Sequence, residues 1–245
     1  MEGPAFWVAA VIAAALVGMA KGGLPVVGML GVPVLALVMS PVAAAGLLLP
    51  VFVLSDMFGL YAYRRAYDLR LLKLLAPAAT VGVGIGWLTA SVVSDRLVEI
   101  IVGLIGAIFA LSLILKRGEE APPRPARAGA GRFWGTITGF TSFVSHAGAP
   151  PYQVFVLPLR LEKTVYAGTT TILFAYVNAV KLIPYWALGQ LSLANLRVAA
   201  ILTVPAVISV FVGVWLVRVL PQKLFFQLVV WALLAVSLKL LWDAV

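Results

Sequence analysis

The sequence predicts an all-α polytopic membrane protein built as two inverted-topology repeats, each a broken helical hairpin followed by three transmembrane helices. Three observations carry this: a composition too apolar for a soluble fold, apolar runs of spanning length, and two matching Gly/Pro interruptions. Of the 245 residues, 63% are hydrophobic and 11% charged, with a mean hydropathy of +1.08. A soluble domain carries far more charged surface than that. A bilayer core takes about 20 residues of helix, and several runs reach this length without the short alternation of a transmembrane barrel.

The first apolar run covers residues 5–20. Glu2 and no Lys or Arg precede it, so it lacks the positive n-region of a cleaved signal peptide and reads as part of the mature fold. It ends at the break Ala20-Lys21-Gly22-Gly23-Leu24-Pro25, after which come runs 24–38, 42–63, 70–90 and 97–115. Gly118 to Gly131, rich in Pro, Ala, Gly and Arg, cannot bury an apolar face and reads as a flexible linker between repeats 1–117 and 132–245. The second half repeats the order: run 132–146, the break Ser145-His146-Ala147-Gly148-Ala149-Pro150, and runs 150–159, 165–187, 194–216 and 224–242. The runs flanking each break are short, about 10 to 16 residues, which predicts half-helices, while the other six runs predict full spans. Laid over one another, the breaks match Gly23 with Gly148, Pro25 with Pro150, Pro33 with Pro158, and Lys21 with His146.

The net charge of +9 resides in loops between spans, which argues for topology determination and against nucleic acid. Arg64, Arg65, Arg70 and Lys73 fall in one loop, and Lys116, Arg117, Arg124, Arg127 and Arg132 in another. A single helical hairpin separates the two, so both are expected in the cytoplasm, together with Arg160, Lys163, Arg218 and Lys223. Both termini then lie on the non-cytoplasmic side, and the halves enter the membrane from opposite faces. The chain has no cysteine and one histidine, a poor basis for a metal site or cofactor, and no nucleophile and base motif points to an enzyme.

Corresponding breaks in two halves of a membrane protein point to a transporter's substrate site. The half-helices after the breaks open with Pro near the first turn, so N–H groups and the positive dipole end are expected to face a bound group. With Lys21, Gly22 and Gly23 at one break and His146 and Gly148 at the other, the expected ligand is a small anion held between them. Gln153, seven residues beyond His146, is a further donor. Thr171, Asn178 and Lys181 share one face of the run 165–187. Asp56 matches Lys181 at the offset that relates the breaks, but inversion would set the two on opposite sides of the midplane, so a direct pair is not expected. Intramembrane ionisable groups default to function, and His146 and Asp56 are candidate proton carriers, a histidine ordinarily titrating near about 6.5.

Phe140-Thr141-Ser142-Phe143-Val144-Ser145-His146-Ala147-Gly148-Ala149-Pro150-Pro151, then Leu157 to Leu161, Ala167-Gly168-Thr169, Asn178, Lys181 and Pro184-Tyr185, closely resembles the TauE/SafE sulfite exporter family. Lys21-Gly22-Gly23, Pro50 and Asp56 extend the likeness over the first half. The resemblance implies a bacterial inner-membrane protein that moves small sulfur-containing anions such as sulfite, sulfonates or thiosulfate, or other organic acids. A secondary carrier working by alternating access is the leading expectation, a passive anion channel or a carrier for other small organic acids the alternative, and a homodimer a candidate assembly.

Because no native cysteine interferes, single cysteines report the topology directly. Arg127→Cys is expected to react with a membrane-impermeant maleimide only from the cytoplasmic side and Ser192→Cys only from the opposite side. Labelling of both from one face would break the inverted-repeat topology.

Overall fold

A computed structural model describes residues 3–90, 92–115, 122–189 and 193–244; Lys116, Arg117, the start of the linker and Ser192 lie outside them. Among the described residues the regular structure is helical throughout: α1 (Pro4–Lys21), α2 (Pro25–Gly28), α3 (Gly31–Ala36), α4 (Pro41–Tyr63), α5 (Leu69–Thr89), α6 (Asp95–Leu115), α7 (Ala128–Ser145), α8 (Ala149–Val156), α9 (Lys163–Ala187), α10 (Leu193–Val219) and α11 (Gln222–Asp243), with a 3-10 turn at Leu157–Leu159. Local chemistry sets several starts. Pro4 opens α1, where a missing N–H costs nothing. The Asp68 carboxylate accepts from the N–H groups of Arg70 at 2.8 Å and Leu71 at 3.0 Å, capping α5, and Glu162 does the same for α9 through Thr164 and Val165.

Among the described residues six helices are long and apolar enough to cross a membrane, namely α1, α4, α5, α6, α10 and α11. Their surfaces are arranged for hydrocarbon. On α10, Ile201, Val204, Ile208 and Trp215 form a stripe at helical spacing, each more than half exposed, while Ala199, Leu202, Ala206 and Val210 on the opposite face are fully buried. Water would not tolerate such a stripe, and lipid chains solvate it.

Three expected boundaries change. The run 5–20 is not a half-helix: α1 has 18 residues and continues through Lys21, long enough at 1.5 Å per residue to reach about 27 Å. The expected full span at 165–187 is the 25-residue α9; it has the length but not the apolar composition, because Thr169, Thr170, Thr171, Asn178 and Lys181 are buried along it. Ala128 to Gly131, read as linker, form the first turn of α7. Each broken hairpin is therefore unequal, one long helix followed by short pieces: α2 and α3 in the first half, α8 and the 3-10 turn in the second.

The chain divides into two units, Met1–Tyr67 with Ala167–Leu220, and Asp68–Tyr166 with Pro221–Val245. Each takes helices from both halves of the sequence. In the first unit α1 lies on α10 through small residues. A Cβ at Gly18 would strike the Ala206 carbonyl, and one at Gly22 would come within 2.6 Å of Gly213 Cα. Around this seam Phe6, Ala10, Val17, Leu35, Leu48 and Leu202 build the unit's apolar core. In the second unit α5 lies on α7 in the same manner, a Cβ at Gly82 meeting the Thr136 carbonyl and one at Gly139 the Ala79 carbonyl. Elsewhere in this unit the buried Tyr166 ring meets Phe225 and Phe226 edge to face, with centroids 6.0 and 5.4 Å apart. In both units the helix before the break packs on the second span of a half. Such contacts suit a membrane, where close packing rather than the hydrophobic effect joins helices.

Adding a methyl at Gly82 forces α5 away from the α7 backbone, so Gly82→Ala is expected to destabilise by about 1–3 kcal/mol. Gly84, two residues on, has nothing within 4 Å of its virtual Cβ, so Gly84→Ala is expected to stabilise by up to about 1 kcal/mol through helix propensity. Thermal unfolding of the purified protein in detergent reads both signs.

Candidate functional site

The first break is a closed turn. Gly23 adopts φ +109°, a conformation that L side chains rarely take, and a Cβ there would lie 2.7 Å from the Tyr63 hydroxyl and from the Ala167 methyl. Gly23 N–H donates to the Ala20 carbonyl at 3.1 Å and Leu24 N–H to the Met19 carbonyl at 3.3 Å, the paired bonds of a Schellman ending. Neighbouring helices satisfy the remaining carbonyls. The Tyr63 hydroxyl donates to the Gly22 carbonyl at 2.6 Å, and the Thr171 hydroxyl to the Lys21 carbonyl at 3.1 Å. Gly59 leaves room for this crossing, since a Cβ there would fall 2.9 Å from the Lys21 carbonyl oxygen.

Lys21 itself turns into the unit. Its ammonium meets the Asp56 carboxylate at 2.8 Å, with both side chains almost fully buried, and lies 4.9 Å from the Phe52 ring centroid. Asn178 Nδ2 donates to the other carboxylate oxygen at 2.8 Å. Lys181, one turn beyond Asn178 on α9, is 1% exposed and within electrostatic reach of both Lys21 and Asp56. Two lysines thus lie within electrostatic reach of one carboxylate, in a setting where a lone charge costs several kcal/mol. Position helps Lys21 further, because a cation at the last turn of α1 complements the negative end of the helix dipole.

The second break lies in the other unit and differs in detail. His146 takes the left-handed conformation, φ 53° and ψ 15°, which His adopts more readily than most residues, and Ala147 N–H donates to the Thr141 carbonyl at 3.1 Å. The turn therefore comes two positions earlier than at Gly23, and His146 ends α7 where Lys21 is still helical in α1. Eight residues of α8 follow, but Pro150 and Pro151 remove two first-turn donors, leaving the N–H groups of Gly148 and Ala149 at this end. Gln153 is 0% exposed, and neither of its amide atoms has a hydrogen-bond partner. Ser237 Oγ on α11 and Thr138 Oγ1 on α7 are buried in the same condition. Buried polar groups are nearly always satisfied, so a donor and an acceptor left open on one side chain mark a place for a polar guest or water.

The expected residues accordingly fall into two sets. Lys21, Gly22, Gly23, Asp56, Asn178 and Lys181 belong to the first unit, and His146, Gly148 and Gln153 to the second. The anion-facing helix start expected after the first break is absent, because α2 has only four residues and begins with Pro25. Asp56 is tied to Lys21 and Asn178 rather than standing as an isolated carboxylate. Sequence reading missed this pair, although one intramembrane acid beside two bases is itself a signal that the acid is shared. It also missed Tyr63, which reads as an interface aromatic, and the open hydroxyls of Thr138 and Ser237.

Outward apolar stripes, glycine-packed helices and a buried polar cluster on broken helices define a multi-pass α-helical membrane protein of the transporter kind. The family model described as sulfite exporter TauE/SafE matches residues 7–240, and the chain belongs to that family of membrane transporters. No match was found among curated proteins or among solved structures.

Removing one partner from a buried ion pair strands the other charge. Asp56→Ala is expected to cost about 3–5 kcal/mol, whereas replacing all three charged groups by apolar residues, Lys21→Met and Lys181→Met with Asp56→Leu, is expected to restore most of that stability. Asn178→Ala removes one hydrogen bond to a charged group, about 1.5–3 kcal/mol. Thermal unfolding of the single and triple variants in detergent measures the order, and a triple variant no better than Asp56→Ala would mean that the charged cluster is not what holds this region.

Proposed function

We propose that this chain is a secondary carrier that exports a small sulfur-containing oxyanion, sulfite or an organosulfonate, across the bacterial inner membrane by alternating access. The observation that carries the reading is the buried cluster of Lys21, Lys181 and Asp56, two ammonium groups against one carboxylate. When all three are ionised the cluster holds one positive charge in surplus, and a single anionic group neutralises it. Ammonium donors bind oxyanions through charge-assisted hydrogen bonds, roughly twice as strong as neutral ones. Asn178 positions the carboxylate, and Gly22 and Gly23 keep the backbone of the break close to the lysine. In the second unit, Gln153 offers an uncharged donor that can meet a sulfonyl oxygen without adding charge, and Gly148 contributes a backbone N–H near His146.

The same cluster supports proton coupling. A proton on Asp56 would release Lys21 from its partner, so anion binding to Lys21 and protonation of Asp56 favour one another. His146 is the second candidate carrier, set at a chain reversal in the left-handed conformation. Family membership and the similar use of α1 and α7 in their units support two repeats of opposite orientation, the arrangement on which alternating access rests in many carriers.

Proteoliposomes preloaded with sulfite are expected to show saturable counterflow of labelled sulfite. Lys181→Gln is expected to weaken half-saturation roughly ten- to a hundredfold, the equivalent of losing a charge-assisted contact, while Lys73→Gln, an exposed lysine on α5, leaves it unchanged. His146→Gln keeps a donor and loses the titration, so it should flatten the pH dependence if His146 carries the proton. Flux that rises linearly with concentration and shows no counterflow would replace the carrier with a passive anion channel.

A further inference from the structure

The second unit contains a cleft of about 620 Å³, lined by the end of α6, the turn after α8 and one face of α11. Its lining is sorted along its length. At one end stand Arg160, Gln222 and Lys223, and the charged residues in the lining are these two bases with no acid among them. Towards the middle of α11 the same face continues as Phe226, Gln227, Val230 and Trp231, mostly apolar and opposed by Leu113 and Ile114 of α6. The residues on α11 recur every fourth position or so, which makes them one stripe over about 12 Å of helix. The cleft thus runs from a cationic mouth at the helix start to an apolar floor within the span.

Backbone geometry aims the mouth. Arg160 sits in the left-handed region, φ 52°, its N–H donating to the Leu157 carbonyl at 3.2 Å as the 3-10 turn closes. The positive end of the α11 dipole lies beside it, next to Gln222 and Lys223. Neither Arg160 nor Lys223 takes part in the buried cluster, and both are exposed.

We infer that this cleft binds one anionic glycerophospholipid, its phosphate held by Arg160 and Lys223 and an acyl chain laid along Phe226, Val230 and Trp231. Charge complementarity selects the occupant: a neutral chain alone leaves two cations and a helix start unanswered, and a soluble anion leaves the apolar floor exposed. Guanidinium matches phosphate oxygens in a two-pronged contact, and basic pockets between transmembrane helices on the cytoplasmic side are suited to anionic headgroups. The mouth lies on the side that the charge distribution assigns to the cytoplasm, where the leaflet is rich in such lipids.

The full chain, purified in detergent and stripped of lipid, supplies the test. Phosphatidylglycerol is expected to raise the unfolding temperature saturably, and phosphatidylcholine and glycerol phosphate are expected to leave it unchanged at the same concentration. Arg160→Gln with Lys223→Gln should weaken the phosphatidylglycerol response at least tenfold. Phosphatidylglycerol brominated on its acyl chains should quench the fluorescence component that Trp231→Phe removes, a readout that needs no charge variant to fold. Equal stabilisation by phosphatidylcholine would make the cleft a general lipid contact, and a full response to glycerol phosphate would make it a soluble-anion site. Either result, an unaltered response in the double variant, or unquenched Trp231 would overturn the assignment.

Discussion

A helix that stops where it is buried in protein exposes carbonyl groups for which there is no water, and the first unit is organised around answering that demand. At the break after Lys21, the turn closes on itself through Gly23 and Leu24, and the carbonyls of Lys21 and Gly22 are taken by hydroxyls from α9 and α4. Those two hydrogen bonds require close approach, and Gly59 and Gly23 supply it by having no side chain. The break also brings the Lys21 ammonium to Asp56 and Asn178, so one local interruption joins α1, α4 and α9 by backbone and side chain together. An uninterrupted α1 would present none of these groups.

Electrostatics turns this structural solution into a chemical opportunity. A buried lysine and aspartate that merely stabilised the fold could be replaced by well-packed apolar residues at little loss. A second buried lysine, Lys181, adds another ammonium group to the same region. The second unit's buried polar groups differ in kind. Its open polar groups, Gln153, Thr138 and Ser237, carry no charge, and its break ends in His146, whose charge depends on pH. A cluster of ionisable groups in one unit and uncharged open groups beside a histidine in the other make the two units chemically distinct.

Packing follows from the solvent. Helices whose outer faces are apolar gain nothing from burying more apolar surface against one another, so contact depends on fit. Hence glycine lies wherever α1 meets α10 and α5 meets α7. The same logic explains why α9 differs from the other long helices. It is polar along one face because Thr171, Asn178 and Lys181 serve the break and the cluster, and its composition records that service.

The sequence by itself determined the class, the helix count to within the hairpin arms, the positions of both breaks and the family, because hydropathy, glycine and proline act locally and leave their mark in consecutive residues. It also singled out Lys21, Asp56, Asn178, Lys181, His146 and Gln153 as polar residues in apolar surroundings. Tertiary structure decided how they are used. That Asp56 answers Lys21, that α2 is too short to present a dipole, and that the left-handed residue is Gly23 in one half but His146 in the other depend on helices distant in sequence. So does the cleft beside Arg160 and Lys223, which needs α6 and α11 to lie on either side of one turn. Pairing of side chains 35 or 122 positions apart leaves no local periodicity to read, since it is set by which helix faces meet and how closely glycine lets them approach.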